Sequence, residues 1–493
     1  MNGLGPWPLV AVAGYLAVLL GVGVLARRAR RDESMSDFYL AGRDLGPFVL
    51  FATLYATQYS GNSFLGYPGE AHRIGFAWVM SVGFMTAIIV AYLLVAPGLH
   101  RAARHWSLVT PGDWIDHRYD YRPLTLAANG VFVLAIANYL LAQLMAMGHV
   151  VAGLSGNAVP YWVGVVGLTA VILVYETLGG MRAVAWTDAA QGLLMLAGLG
   201  GILLTVVPTP AHLAEVTAWV IEHAPEKAAV PGWQTSFTWL STLLLIGMSG
   251  AVYPQAMQRI YAARSTAVLK RGLTVMVVMP LLTMTPIFLI GILSLRDLDG
   301  VSGLAADQVM PMMLARWAGQ STGLALAAMA VMLAAVAAIM STADSVLLTL
   351  SSILAKDVAG RTWLRGAPEA TLTRVGKRVS WAIVATLVTL ALVPRISLWG
   401  LTELKMELLV QVSPLFVLGL ASARVTGRAA LAGLVTGLVV AFSLPLAGLS
   451  RPFGIHDGTI GWAINMLVCV TASPRTAAQP AARLASDQPQ PAS

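Results

Sequence analysis

Long apolar runs dominate the chain, and short polar segments separate them. The runs are roughly 18 to 25 residues long, which lets an α-helix cross about 30 Å of hydrocarbon. Membrane-spanning strands would instead show alternating segments of ~10 residues, which we do not find. We therefore expect an all-α polytopic membrane protein with about 13 transmembrane helices. The predicted spans are residues 6–26, 47–66, 76–97, 124–153, 158–178, 186–207, 234–256, 271–295, 321–355, 376–394, 398–420, 426–447 and 458–473.

Composition supports this class of protein. Only 11% of the residues are charged and 57% are hydrophobic, whereas a soluble domain carries about 25% charged residues. The single cysteine, Cys469, lies in an apolar run, so we expect it to fill the core rather than to form a disulfide. The net charge of +8 does not indicate a nucleic-acid partner, because the basic residues lie between the spans.

The distribution of basic residues predicts an orientation. If the loop after span one is cytoplasmic, 24 of the 31 lysines and arginines lie on the cytoplasmic side and 6 on the outer side. Such a bias predicts a multi-pass protein of the bacterial inner membrane with its N-terminus outside and its C-terminus in the cytoplasm. The first run is not preceded by lysine or arginine and lacks a small-residue cleavage site, so we interpret it as a retained helix.

The chain is predicted to hold one transmembrane transporter domain, residues 1–473. Residues 474–493 are rich in alanine, proline, glutamine and serine, a composition typical of a disordered tail. Between spans eight and nine, residues 301–319 have an apolar face and are expected to form a short helix outside the membrane plane.

Two spans are interrupted by polar residues and glycines. Span two contains the polar run 57–63 followed by glycine and proline at 66–69, and span seven has a similar break at 247–255. Transporter sites often use such breaks, because unwound backbone supplies carbonyl oxygens to a cation. The two spans are five apart, as expected for inverted five-helix repeats formed by spans 2–6 and 7–11. Close packing of small residues between helices is the alternative, and it explains span seven better than span two.

Span nine carries adjacent hydroxyl and carboxylate groups at Ser341, Thr342, Asp344 and Ser345. These are hard oxygen ligands, which suit a small hard cation. The alternative for the two hydroxyls is a hydrogen bond to their own helix backbone. An ionisable residue within a span, such as Asp344, indicates a functional site by default.

Three motifs resemble those of the sodium:solute symporter family, whose bacterial members include the pantothenate and proline permeases. They lie at residues 38–43, 179–191 and 338–357, and residues 60–69 resemble the pantothenate permease. The resemblance implies the leucine-transporter fold and Na⁺ as the coupling ion, with no other cofactor. Carried over by motif, the sodium ligands would be the carbonyls of Ala56, Tyr59 and Ala338 and the hydroxyls of Ser341 and Thr342. A possible second cation site would use Asp188, Asp344 and Ser345.

The solute is less well defined by the sequence. Proline permease has an aspartate where this chain has Gln58, so recognition like that of proline is not expected. The candidate solute-binding residues are Gln58, Asn62, Ser63, Asn138, Gln143, Ser249, Tyr253 and Lys405.

Span eleven holds three charges, Glu403, Lys405 and Glu407. Residues i and i+4 share a helix face, so the two glutamates should align while Lys405 faces elsewhere. Lys405 could bind a carboxylate of the solute, or the three charges could form the wet outer end of the span. Trp78, Trp162 and Trp399 lie near span ends and are expected to anchor the protein at the membrane interface.

These features predict sodium-coupled uptake of a small organic solute, an organic acid or an amino acid, by alternating access. The alternatives are a proton-coupled transporter on the same fold and a transporter-like sensor without transport. We do not expect an enzyme, since no nucleotide-binding loop or metal-ligand spacing occurs. The expected partners are the solute, Na⁺ and the lipid bilayer, with no nucleic acid, and the protein should be a monomer or a weak oligomer.

Overall fold

A computed structural model describes residues 7–28, 34–155, 158–205 and 210–473, and these residues form helices and no strand. The predicted tail lies outside the described residues. The helices of the first half are α1 Trp7–Arg28, α2 Met35–Leu40, α3 Pro47–Gln58, α4 Tyr67–Ile74, α5 Phe84–His105, α6 Pro111–Tyr119, α7 Arg122–Leu154, α8 Tyr161–Thr205, α9 Pro210–His223 and α10 Pro225–Ala228. Those of the second half are α11 Trp233–Gly250, α12 Pro254–Ala262, α13 Thr266–Met276, α14 Met279–Asp297, α15 Val309–Ala318, α16 Thr322–Ser352, α17 Glu369–Ala391, α18 Leu398–Ala421, α19 Gly427–Leu446 and α20 Asp457–Thr471.

The multi-pass membrane class is confirmed. Within the described ranges, eight helices are long and apolar enough to cross a membrane, and the bent pair α11–α12 raises the number to nine. The count of thirteen stays a prediction. Several other predicted spans are interrupted, short or polar: α3 has 12 residues, α20 has 15, and α17 has a polar first half that includes Arg374, Lys377 and Arg378.

Span two is broken where the polar run predicts it. The helix α3 ends at Gln58, and Tyr59 adopts an extended conformation with φ −95° and ψ 137°. Helical structure resumes as a π-helix over Asn62–Gly66, which leads into α4. The two halves of the span therefore meet at a short non-helical segment.

Span seven is broken as well. The helices α11 and α12 meet at an angle of 49°, and Pro254, which lacks an N–H, begins α12. The small residues of this span serve both a helix break and close packing between helices, the two explanations predicted for them. A side chain added at Gly247 or Gly250 would meet Ala87 or Ile88 of α5, so these glycines also permit close helix packing.

Spans five and six are joined in the single helix α8, which kinks at Gly180. This residue has φ 58° and ψ −149°, and a side chain there would meet Phe38, so only glycine fits. The helix α16 lies at the centre of the molecule and packs against α8, α7 and α3. Nearly all of its residues from Val331 to Ser352 are buried, and Cys469 is buried as expected.

Candidate functional site

The break in span two releases two backbone carbonyls. In an unbroken helix the Ser60 amide would donate to the carbonyl of Ala56, but here it donates to Ser63 Oγ at 3.3 Å. The Ser63 amide donates to the carbonyl of Ser60 at 3.0 Å rather than to that of Tyr59. The oxygens of Ala56 and Tyr59 are therefore free of the usual helical hydrogen bond and can accept other groups.

Gln143 of α7 stabilises this break. Its Oε1 accepts a hydrogen bond of 2.9 Å from the amide of Gly61, which the broken helix leaves without a helical partner. A side chain at Gly61 would collide with Ala146 and Ile339, so glycine is required by the close approach of α7 and α16. Gln143, a candidate for binding solute, thus makes a structural hydrogen bond that stabilises the break.

The span-nine hydroxyls face the broken span and span six. Thr342 Oγ1 donates to the Tyr59 carbonyl at 2.8 Å, and Ser341 Oγ donates to Asp188 Oδ1 at 2.6 Å. Neither hydroxyl donates to its own helix backbone, and each oxygen keeps lone pairs that can accept a cation. Ala338 lies one turn before Thr342 in α16 and is fully buried. The structure thus brings spans two and nine together where a sodium site is predicted.

Arg259 of α12 occupies the predicted second cation site. Its Nη2 donates to Asp188 Oδ2 at 2.7 Å and to Ser345 Oγ at 2.5 Å, and its Nε donates to Thr53 Oγ1 at 2.8 Å. Thr53 also donates to Asp188 Oδ2. All four side chains are fully buried. The orientation predicted from the basic residues places Arg259 in a cytoplasmic loop; in the structure it is the buried counter-ion of Asp188.

Asp344 lies beside this group. Its Oδ2 accepts from Tyr175 Oη at 2.5 Å, and Ser345 Oγ is 3.3 Å from its Oδ1. Among the ion pairs of the described residues, Arg259 pairs with Asp188 and none includes Asp344. When both aspartates are ionised, the two carboxylates and one guanidinium carry a net charge of −1. Buried charge is costly unless it is paired, so this group favours one further cation or proton.

Two candidate solute ligands keep unused hydrogen-bonding atoms. Gln58 Nε2 donates to Tyr92 Oη at 3.1 Å, but Gln58 Oε1 and Asn62 Oδ1 are buried and have no hydrogen-bond partner among the described residues. Buried polar atoms are usually satisfied, so these two oxygens are suited to a solute or to ordered water. Two other candidates bond to the scaffold: Ser63 Oγ accepts from Ser60, and Asn138 Nδ2 donates to the carbonyl of Leu401 at 2.5 Å.

Lys405 is buried, and no described residue is its counter-ion. Only 2% of it is exposed, and its Nζ lies 3.4 Å from the ring centre of Tyr139 and 4.5 Å from that of Tyr253. Among the described residues it has no ion pair or hydrogen bond. The Tyr139 hydroxyl lies beside those of Ser60 and Thr342. One aromatic ring therefore separates this ammonium group from the predicted sodium ligands.

The two remaining candidates, Ser249 and Tyr253, both contact Met406. Each hydroxyl lies 2.9 Å from the Met406 sulfur, which connects the broken span seven to α18. Tyr253 thereby places its ring against Lys405, so the break in span seven contributes directly to the surroundings of the lysine.

The chain matches the model of the sodium:solute symporter family over residues 38–437. This chain belongs to the sodium:solute symporter family. It is 28% identical to the sodium/pantothenate symporter of Escherichia coli over 54% of this chain and 56% of that protein, so that match spans little more than half of the relative. It is 24% identical to the sodium/glucose cotransporter of Vibrio parahaemolyticus over 92% of this chain and 87% of that protein. It is 24% identical to a monocarboxylic acid transporter of Corynebacterium glutamicum over 54% and 52% of the two chains.

Solved structures confirm the fold class. A Na⁺-coupled sialic acid symporter in a substrate-bound outward-open state superposes with a TM-score of 0.77 at 18% identity, covering 95% of this chain and 99% of that one. Mhp1, a nucleobase-cation-symport-1 family transporter, superposes with a TM-score of 0.55 at 14% identity, covering 91% and 94%. This family member therefore has the predicted leucine-transporter type of fold.

The charges of span eleven in this symporter-family protein lie on two faces. Glu403 contacts Arg451 and is 2.8 Å from His456 Nε2, while Glu407 is 3.5 Å from His456 Nδ1. Lys405 faces the tyrosines instead. The two glutamates thus share His456 as a neighbour, and Lys405 does not belong to their cluster; the location of that cluster at the outer end of the span stays a prediction.

Two of the predicted interface anchors are core residues. Trp78 and Trp399 are 1% and 8% exposed, and their ring centres lie 4.7 Å apart in a cluster with Tyr67 and Phe84. That prediction was wrong because position near a span end does not reveal which way a side chain faces. Trp162 is 56% exposed, as an interface anchor requires.

Proposed function

We propose that this protein takes up a small organic solute that bears a carboxylate, by sodium-coupled symport with alternating access. Family membership supports sodium coupling. The single observation that supports the class of solute is Lys405, a buried ammonium group beside the broken spans for which no described residue supplies a counter-ion.

The tyrosine rings alone do not offset the burial of this charge. Each desolvated cation–π contact contributes about 2 kcal/mol, so the two rings offset only part of a burial penalty of several kcal/mol. A solute carboxylate placed against Lys405 would pair the charge. The same solute would find the free oxygens of Gln58 and Asn62 as hydrogen-bond acceptors, which suits a molecule with hydroxyl or amide N–H groups as well as the acid.

The position of Lys405 also offers a route to coupling. Its ring partner Tyr139 carries a hydroxyl next to Thr342, so a carboxylate paired with Lys405 would lie within about one aromatic ring of the proposed sodium ion. Each cation would favour binding of the anion, and by linkage the anion would favour binding of sodium. Relatives named for pantothenate, monocarboxylic acids and sialic acid are in keeping with an acidic solute.

For sodium itself we propose the site predicted from the family motifs. Its ligands are the carbonyls of Ala56, Tyr59 and Ala338 and the hydroxyls of Ser341 and Thr342. The Ala56 and Tyr59 carbonyls support this site, because the break frees both from their usual helical hydrogen bonds. All five ligands are neutral oxygens, which bind sodium weakly enough to release it. A second cation at Asp188, Asp344 and Ser345 would require Arg259 to withdraw from Ser345.

One observation favours a second candidate, proton coupling on the same fold. Asp344 is fully buried and has no cationic partner among the described residues, so a proton could replace the further cation that its group favours. Under this alternative, an imposed pH gradient without sodium would drive uptake, and Asp344→Asn would abolish that uptake.

The deciding experiment uses purified protein in proteoliposomes at fixed pH. A thermal-shift screen of monocarboxylates, amino acids and sugars, each with sodium or with choline, identifies the solute class, because ligands that prefer the folded state stabilise it. Uptake of the best solute is then measured with a sodium gradient. We expect sodium-dependent stabilisation by a carboxylate and loss of uptake in choline. Stabilisation by an uncharged sugar alone would contradict the solute class, and uptake indifferent to sodium would contradict the coupling.

The inner-membrane location and the orientation with the N-terminus outside are part of the same proposal, as is function without a tightly bound partner subunit. Cysteine residues introduced at the two ends of the chain, labelled with a membrane-impermeant maleimide in intact cells, test the orientation. The Cys469→Ser background removes the single native thiol, which is buried.

A further inference from the structure

An apolar groove lies on the side of the molecule where α5, α11, α13 and α18 meet. Its volume is about 600 Å³, and its walls include Ala91, Leu94, Met248, Ala251 and Leu420. Leu94 is 72% exposed, so the groove opens laterally. None of these residues belongs to the proposed ion or solute sites, so a ligand bound in the groove would be independent of the proposed function.

Two cations belong to the lining of the groove. Arg101 of α5 and Lys270 of α13 both line it and are both exposed. Within the described part of the chain, neither side chain makes an ion pair or a hydrogen bond, and the lining contains no carboxylate. A groove with an apolar body and a positively charged mouth is complementary to an amphipathic anion.

The length of the groove matches one leaflet of a bilayer. Along α5 it runs from Ala91 to Arg101, a rise of about 15 Å at 1.5 Å per residue. Half of a hydrocarbon core of roughly 30 Å is the same distance. The apolar end lies at the break of span seven, where Ala251 is found, and the cationic end lies where α5 is predicted to reach the cytoplasm. An acyl chain would therefore fill the groove while its headgroup reaches the two cations.

We infer that this groove binds one anionic phospholipid, with the phosphate at Arg101 and Lys270 and an acyl chain against α5 and α18. Basic pockets between membrane helices on the cytoplasmic side commonly bind anionic headgroups. A zwitterionic lipid fits less well, because its own ammonium group would meet two cations. At Gly98 an added side chain would approach Leu420 to 3.0 Å, so α5 and α18 touch beside the groove and the bound lipid would lie against both.

Native mass spectrometry of the purified full chain tests this site. The probe is an equimolar mixture of phosphatidylglycerol and phosphatidylcholine with identical acyl chains, added to protein that has been stripped of lipid in detergent. We expect the wild type to retain phosphatidylglycerol in preference, and the double variant R101Q/K270Q to lower that preference by on the order of 30-fold, since each cation near a surface contributes about fivefold.

The matched control is R271Q/R378Q, which removes two exposed arginines that do not line the groove. This variant should retain the preference. A third variant, Ala421→Phe, enlarges an exposed lining residue and should lower retention of both lipids. Equal retention of the two lipids by the wild type, or an unchanged preference in R101Q/K270Q, would overturn the assignment. Retention unaffected by Ala421→Phe would show that the acyl chain lies elsewhere and would overturn it as well.

Discussion

Arg259 and Lys405 are both cations buried inside the membrane domain, and their surroundings are opposite. Arg259 is fully buried and reaches a carboxylate and two hydroxyls within 2.8 Å. Lys405 is 2% exposed, and its ammonium group faces two aromatic rings with no anion among the described residues. One cation is satisfied by the protein, and the other is not.

The difference distinguishes a structural charge from a binding charge. A satisfied buried ion pair contributes little when it is whole and costs much when one partner is lost. A buried cation without a partner is a cost to the fold, and under the proposed function the solute supplies the missing anion. The two residues should therefore respond to neutralisation in opposite ways, which allows the comparison to be tested.

The largest effect is expected from Arg259→Gln. The change leaves Asp188 and Asp344 buried without a cation, and breaking a buried pair typically costs about 3–5 kcal/mol. We expect a large loss of stability in thermal unfolding of the purified protein, along with loss of uptake. The double variant R259Q/D188N should recover part of the stability, because it removes both partners. Wild-type stability of Arg259→Gln alone would contradict the assignment of a structural charge.

Lys405→Met should have the reverse pattern. Methionine fills a similar space without a charge, so the free energy of unfolding should stay the same or rise, while uptake of the carboxylate solute falls at least tenfold. Thermal unfolding measures the stability, and sodium-driven uptake by the same preparation measures the transport. Lys405→Arg, which keeps the charge, is the control and should retain part of the uptake. A loss of several kcal/mol of stability in Lys405→Met would place this lysine in the same class as Arg259.

Thr342→Ala tests the region between the two cations. The threonine hydroxyl bonds to the Tyr59 carbonyl and is a proposed sodium ligand, so its loss should raise the sodium concentration for half-maximal uptake by about tenfold, equivalent to about 1.4 kcal/mol. Thr342→Ser keeps the hydroxyl and should stay near the wild type. If the sodium dependence of Thr342→Ala were unchanged, sodium would bind elsewhere and the proposed link through Tyr139 would fail.

Much of the architecture could be predicted from the sequence, because lipid penalises unsatisfied backbone and polar side chains. The polar run 57–63 favours a break, and the structure breaks the helix there. The same physics limits the prediction elsewhere. The count of thirteen spans remains a prediction, since interrupted or polar helices such as α3 and α17 do not carry a complete apolar signal of their own.

The candidate site was predicted less completely, because hydropathy reports position along the chain and not direction in space. Arg259 falls between predicted spans seven and eight and is counted there with the cytoplasmic basic residues, whereas the structure turns it inward onto Asp188. The spacing of span eleven correctly separated Lys405 from the glutamates, yet spacing could not reveal that no anion of the described residues faces the lysine. Trp78 and Trp399 show the same limit for aromatic residues.

Arg451→Gln should have the smallest effect and completes the comparison. Arg451 pairs with Glu403, but its side chain is 44% exposed, and Glu403 keeps a second partner in His456. Partly exposed pairs contribute about 1 kcal/mol or less, and salt screens them further. Thermal unfolding is measured at low and high choline chloride, which leaves the sodium concentration unchanged. The variant should show a small loss of stability that decreases as the salt concentration rises. A loss as large as that of Arg259→Gln would mean that pairing alone, and not burial, decides which charges hold this fold together.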